Sequence, residues 1–330
     1  MRPFRYEHVV DRDQALRAGA GANASYLAGG TTLVDLMKLD VLRPERVVDI
    51  NALSADHGQI RAGADGLYLG ALARMAQAAG HPAVRRDYPV IAQSLELAAS
   101  PQIRNMASLG GNVLQKTRCP YYRDVSWNAC NKRVPGSGCA AIGGVNRRLA
   151  VLGTSASCIA NYPGDFAVAL AALGATVDIE GPGGRRVVAI EDLHRLPGEA
   201  PHLETSLAPG DLITGFAVPA GPWTRNSLYL KVRDRQSYEF ALASAAVAVD
   251  LDGKTVRQAR IGLGGVATRP WRAHAAEAAL QGKPLDEATA RAAAEAAFDG
   301  AVSHGGNAFK VELGRRTLVR ALLQASALEA

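Results

Sequence analysis

A chain of 330 residues with 48% hydrophobic and 21% charged residues is long enough for two domains and rich enough to bury sizeable cores. Its net charge of +6 is scattered in small groups such as Arg147-Arg148 and Arg315-Arg316, with no stacking aromatics between them, which argues against a nucleic-acid groove. No apolar run approaches the ~18–20 residues of a membrane span. The opening MRPFRYEHVVDRDQ has neither an apolar signal core nor a twin-arginine pair. The expected location is therefore the cytoplasm, or the periplasm by co-export with a signal-bearing partner.

The N-terminal third alternates short helices and strands. Asp11–Ala18 and Thr31–Lys38 read as helices, and Ser25–Leu27, Arg46–Ile50 and Gly66–Gly70 as strands. Between Ser25–Leu27 and the second helix lies Leu27-Ala28-Gly29-Gly30-Thr31-Thr32-Leu33. Paired glycines let backbone approach a ligand closely, and the amides that open a helix suit phosphate. A tight turn without a ligand explains the same residues. Tyr88–Ala99 reads as a helix closed by Ser100-Pro101, and a second diglycine follows in Ser108-Leu109-Gly110-Gly111-Asn112. Two such loops, about 80 residues apart, suggest one long ligand touched twice. Neither fits G-x-G-x-x-G or the P-loop, which disfavours a Rossmann dehydrogenase and an ATPase.

All four cysteines come next, inside residues 119–158: Cys119, Cys130, Cys139 and Cys158. Such crowding is what a four-thiolate metal site needs. Intervals of ten, eight and eighteen residues lack the close pairs usual for zinc, but spacing alone leaves an iron–sulfur cluster, zinc, disulfides and free thiols all open. Pro120 after Cys119 and Gly136-Ser137-Gly138 before Cys139 allow backbone amides near the sulfurs. Arg118, Arg123, Lys132 and Arg133 supply cations, and both features favour a cluster. Tyr121 and Tyr122 read equally as neighbours of a cofactor or as core.

Downstream, Phe166–Leu173 reads as a helix stopped by Gly174. A hairpin follows, Ala175–Glu180 and Arg185–Ile190 around Gly181-Pro182-Gly183-Gly184. Pro219-Ala220-Gly221-Pro222 marks a boundary. Ser227–Arg233, Ala241–Leu251 and Val256–Leu263 read as strands, the last two joined by the turn Asp252-Gly253. Trp271–Leu280, Asp286–Phe298 and Asn307–Ser326 read as Ala-rich helices, which makes the fold class α+β. The histidines show no metal-ligand spacing and read as surface or core residues. Asp165 doubles as a helix N-cap before Phe166, and Lys231 as a surface strand lysine.

Taken in order, Ala28-Gly29-Gly30-Thr31 through Lys38, Gln102-Ile103-Arg104-Asn105 with Gly110-Gly111-Asn112, Gly164-Asp165-Phe166 through Gly174-Ala175, and Tyr229-Leu230-Lys231-Val232-Arg233 resemble the FAD-binding subunit of the xanthine dehydrogenase family of molybdenum hydroxylases. The resemblance covers nearly the whole chain. It implies a two-part α/β FAD-binding domain like that of vanillyl-alcohol oxidase over residues 1–222, and a smaller domain of antiparallel sheet plus helices over 223–330. It assigns Leu27, Ala28, Gly29, Gly30, Thr31, Thr32 and Leu33 to the FAD pyrophosphate. Ser108, Gly111, Asn112 and Asp165 line the rest of the flavin, and Lys231 lies near its isoalloxazine, where it stabilises negative charge. Ser108 stands where the family often has Thr, and either hydroxyl can hydrogen-bond.

In the common family pattern the third motif follows GGN closely, but here Asn112 and Asp165 are 53 positions apart. The additional residues are the cysteine segment, an insert at 113–160. Cys130-Asn131-Lys132-Arg133 through Pro135-Gly136-Ser137-Gly138-Cys139 resembles the branch whose flavin subunit carries a 4Fe–4S cluster, as in periplasmic aldehyde oxidoreductases. The 4-hydroxybenzoyl-CoA reductases also carry one. The resemblance implies four cysteine ligands, a molybdenum-cofactor subunit and a 2Fe–2S subunit as partners, and an external electron acceptor. No catalytic residue is expected in this chain, which passes electrons through FAD. A zinc-stabilised scaffold and a self-sufficient flavin oxidase are the readings from other classes.

Overall fold

The protein is described by a computed structural model over residues 1–328. Three sheets carry the fold. The first is parallel, in the order β1 (Arg5–His8), β3 (Arg46–Asp49), β2 (Ala24–Leu27). The helix Arg12–Gly19 makes the crossover, and the Asp11 carboxylate accepts the Gln14 amide at its start (2.8 Å). β2 runs straight into the first glycine turn, and the helix after it begins only at Leu33, two residues later than expected.

The second sheet is antiparallel: β4 (Ile60–Gly63), β5 (Gly66–Gly70), β8 (Leu212–Pro219), β6 (Thr176–Gly181) and β7 (Gly184–Ala189), in that order. The expected β6–β7 hairpin forms. β8, which no periodicity announced, sits at its centre. Gly215 interrupts the apolar run of β8 because a side chain there would collide with the Tyr68 ring. Short helices at 75–80, 82–87, 89–96 and 101–106 follow β5, and Met75, Val84, Ile91 and Leu95 share one core with its Leu67 and Leu69. Ser100-Pro101 opens a helix rather than closing one: Ser100 Oγ accepts the Ile103 amide at 3.4 Å, and proline suits the first helical turn.

The third sheet is β12 (Trp271–Arg272), β11 (Thr255–Gly264), β10 (Ala243–Asp252) and β9 (Ser227–Val232), all antiparallel. β10 shows why two cores meet here. Ala246 and Ala248 face the helix Phe166–Leu173, while Ala245, Val247 and Val249 face the C-terminal helices. That helix is buried at all eight positions, so an apolar run without a polar face is what its place between two sheets requires. Gly174, at φ 67°, ends it in the left-handed conformation. Trp271–Leu280 is not one helix. Residues 271–272 pair with Gly262 and Leu263, and the helix starts at His274. The helices Glu287–Ala297 and Phe309–Ser326 complete the second core through alanines and Leu318, Leu322 and Phe298.

Candidate functional site

The two glycine turns are adjacent in space. Gly29 lies so close to the backbone of Met106 and Ala107 that a Cβ would overlap the Met106 carbonyl. Asn51 donates to Ala28 O (3.0 Å). Arg74 reaches Asn51 Oδ1 (2.8 Å) and Met106 O (2.6 Å), tying both turns together. Asn51 and Arg74 were missed from the sequence because neither sits in a motif. The second turn is fixed by Leu109 N to Ala73 O (2.9 Å), Gly110 N to Ala71 O (2.8 Å), and the Ser108 hydroxyl capping the Gly111 amide (3.2 Å).

Between the turns opens a cleft of about 370 Å³. Ala28, Gly29, Gly30, Thr31, Thr32 and Leu33 line it, with Ser108 and Gly111, and so do Lys116, Lys132, Cys158, Tyr162, His194 and Glu204. Leu27, Asn112, Asp165 and Lys231 lie outside that lining. Asn112 donates to Met75 Sδ (3.3 Å), and its buried Oδ1 has no partner among the described residues. Asp165 occupies the N-cap position of Phe166–Leu173 but makes no cap bond. Its carboxylate instead meets Lys231 Nζ (2.7 Å) and Tyr229 OH (2.7 Å). Lys231 is not a surface lysine: its side chain is 1% exposed, and the ammonium also donates to Leu97 O (3.0 Å).

The cysteine segment leaves the cleft wall at Lys116-Thr117 and returns at Asn161-Tyr162. Its neck is closed by Thr117 Oγ1 to Asn161 O (2.8 Å) and Tyr162 OH to Val113 O (2.8 Å). All four cysteines line one small cavity with Tyr121 and Tyr122. Cys119, Cys130 and Cys158 are buried, Cys139 is half-buried, and none is in a disulfide. Among the described residues, no three His, Cys, Asp or Glu side chains stand where they could share one metal ion. Burial pushes the Cys119 thiol up to about 12 and raises that of Cys158, so without a metal both stay protonated. The Ala160 amide points at Cys158 Sγ (3.5 Å). Four thiols lining one cavity, with an amide donor and cations nearby, are a donor set that an iron–sulfur cluster or a zinc ion could use.

The two regions share walls. Cys158, Lys132 and Ala160 border both the cleft and the cysteine cavity. Asp35, on the helix after the first glycine turn, binds Arg123 (2.9 and 3.1 Å) and Arg118 (3.3 Å) of the cysteine segment. Burial opposes ionisation of Asp35, but the arginines outweigh it and its pKa is lowered.

Residues 2–221 match the family model for the FAD binding domain in molybdopterin dehydrogenase, and residues 228–325 that for the CO dehydrogenase flavoprotein C-terminal domain. The chain belongs to the FAD-binding flavoprotein family of the molybdopterin dehydrogenases. It is 44% identical over 330 residues to the aldehyde oxidoreductase FAD-binding subunit PaoB of Escherichia coli (strain K12), covering 99% of each chain. It is 28% identical over 273 residues to the carbon monoxide dehydrogenase medium chain of Afipia carboxidovorans, covering 83% of this chain and 77% of that one. Among solved structures, reconstituted CO dehydrogenase from Oligotropha carboxidovorans superposes with a TM-score of 0.77 at 25% identity, over 99% of this chain and 98% of that chain. These family members are oxidoreductase flavoproteins, and the α+β architecture agrees with theirs. Among the described residues, no helix is long and apolar enough to cross a membrane.

Proposed function

We propose that this chain is the electron-transferring flavoprotein subunit of a molybdenum-dependent aldehyde oxidoreductase. Electrons reach it from a 2Fe–2S partner subunit and leave through FAD to an external acceptor, with a 4Fe–4S cluster on Cys119, Cys130, Cys139 and Cys158. Residues 1–222 form the FAD-binding part, with the cluster insert at 113–160, and 223–330 the C-terminal part. The observation that carries this reading is the shared cleft. Two glycine turns from distant segments line one cavity, and Cys158 and Lys132 of the cysteine loop line it too.

Bound FAD supplies the exchange between two-electron and one-electron chemistry. The residues of this chain hold and insulate it. The first closed turn after the diglycine runs from Val34 N to Gly30 O (3.0 Å), so the amides of Thr31, Thr32 and Leu33 precede it and suit the pyrophosphate. Ser108 and Gly111 add a hydroxyl and a bare backbone. By the family resemblance Asn112, Asp165 and Lys231 add further flavin contacts, although none of the three lines the cleft itself. The aldehyde reading is preferred to a benzoyl-CoA-type reductase because the 44% identical relative carries an aldehyde oxidoreductase name. Cluster is preferred to zinc because the insert from Cys130 to Cys139 resembles that of the flavin subunits that carry one. The compartment follows the partner: the periplasm by co-export with a signal-bearing subunit, or the cytoplasm.

Anaerobic purification followed by acid release of flavin and elemental analysis tests the reading. One FAD and about four irons per chain are expected. Zinc without flavin would sink it, and aldehyde turnover by the isolated chain would point to a self-sufficient oxidase instead.

A further inference from the structure

Four polar groups on the cleft wall lie outside the two glycine turns. Lys116 lies beyond the second glycine turn, Lys132 on the cysteine loop, and His194 and Glu204 on the segment between β7 and β8. Glu204 accepts from Lys132 at 2.8 Å and from Lys116. Lys132 also donates to Pro201 O (3.1 Å), which fixes its direction. Burial works against ionisation of Glu204, but the two ammonium groups outweigh it and lower its pKa. One carboxylate between two ammonium ions leaves the bridge with one positive charge.

His194 stands beside this bridge, 6% exposed, and its Nε2 has no partner among the described residues. Tyr162 packs against the ring with centroids 4.8 Å apart, and Arg269 donates to the His194 carbonyl (3.2 Å), which ties down the backbone that carries the ring. Burial pushes its pKa down to about 4, and the ring is neutral at physiological pH. A buried, uncommitted ring nitrogen on a cavity wall is a hydrogen bond left for a ligand.

We propose that this wall meets the isoalloxazine of bound FAD: the Lys116–Glu204–Lys132 bridge supplies positive charge that favours the reduced ring, and His194 Nε2 bonds the ring's polar edge. The proposal rests on reading the cleft as the FAD site. A flavin that takes up two electrons and one proton gains one negative charge, which a cationic wall stabilises more than the neutral oxidised ring. Lys231, the lysine the sequence pointed to for this task, holds Asp165 and Leu97 O instead. Lys132 belongs to the cysteine insert, so the insert itself would tune the flavin.

The test is a redox titration of the FAD-loaded protein, followed by flavin absorbance, with flavin content measured separately by acid release. At a fixed poise, Lys116→Gln and Lys132→Gln should each lower the ratio of reduced to oxidised flavin by roughly tenfold, and Glu204→Gln should raise it. Opposite signs within one bridge are not what loosened packing produces. His194→Phe should shift the flavin absorption bands, and His194→Asn should restore part of the shift. Lys116, about a third exposed at 32%, keeps the test decisive if Lys132→Gln sheds flavin. Unmoved potentials at full FAD occupancy, or shifts of one sign in all three bridge variants, overturn the proposal and leave the FAD reading standing. Wild-type protein without FAD overturns both.

Discussion

The glycine cleft and the cysteine loop share walls but are held by different means. At the cleft, the turns approach through missing side chains: Gly29 against Met106, Gly110 against Ala71. The cysteine loop has almost no regular structure, so its backbone polar groups need other partners. Side chains provide them. Arg133 alone donates to the carbonyls of Tyr121, Tyr122, Asp124 and Trp127, and Asn131 spans from the Gly138 amide (2.8 Å) to Ser157 O (3.0 Å). Backbone-on-backbone contact leaves no room for one added carbon. A lattice of side-chain clamps loses its members one at a time.

The sharpest test of that difference is Gly29→Val. The added side chain falls on the Met106 carbonyl, so the two turns must part. We expect loss of bound FAD and a destabilisation of about 3 kcal/mol, read by flavin release and thermal unfolding. Retained FAD would mean that the turns need not touch. Cys139→Ser ranks next. Cys139 lines the cysteine cavity and not the cleft, so iron should fall below half of wild type while most FAD stays. Cys158 lines both, and Cys158→Ser should disturb the flavin spectrum as well. Parallel loss of iron and flavin in Cys139→Ser would show that the two regions fold as one unit.

Much of the cleft was legible because glycine is informative by itself. A diglycine between a strand and a helix marks close approach, and the hairpin turn Asp252-Gly253 and the helix stop at Gly174 were read on the same ground. The clustering of cysteines was equally plain. What stayed hidden depends on contacts between distant segments. Arg74 and Asn51 bind across 23 positions, and His194 meets Tyr162 from another segment. The histidines looked like surface or core residues, and nothing local marks a ring nitrogen left without a partner. β8 was missed because the glycine that admits Tyr68 breaks the strand pattern.

Lys310 tests the clamps from farther away. It sits on the C-terminal helix with 0% exposure and donates to Arg148 O (3.0 Å), Leu149 O (3.1 Å) and Gly265 O (2.5 Å). Two of these carbonyls lie on the returning limb of the cysteine loop. Lys310→Met leaves three buried carbonyls without their donor, and we expect a loss of about 2–3 kcal/mol in chemical denaturation. Burial pushes the folded pKa down to about 7 from an ordinary value of 10.5. Between those two values the unfolded chain binds the additional proton, so this residue makes stability rise with pH across that window. Lys310→Met should flatten the rise. An unchanged slope would assign it to other groups.

The smallest effect is expected at the neck. Thr117 Oγ1 donates to Asn161 O (2.8 Å) and accepts the Cys119 amide (3.2 Å), and the residue is 4% exposed. Thr117→Val keeps the shape and removes both bonds, for about 1–2 kcal/mol, a few degrees in the unfolding midpoint. Here the two regions make different forecasts. If the loop is a set of independent clamps, iron and FAD stay at wild-type levels, because Tyr162 OH still holds Val113 O across the neck (2.8 Å). If the neck instead sets the position of Cys119, two residues on, iron falls while FAD remains. Measuring both contents in the same preparation distinguishes a strut that only stabilises from one that aims a ligand.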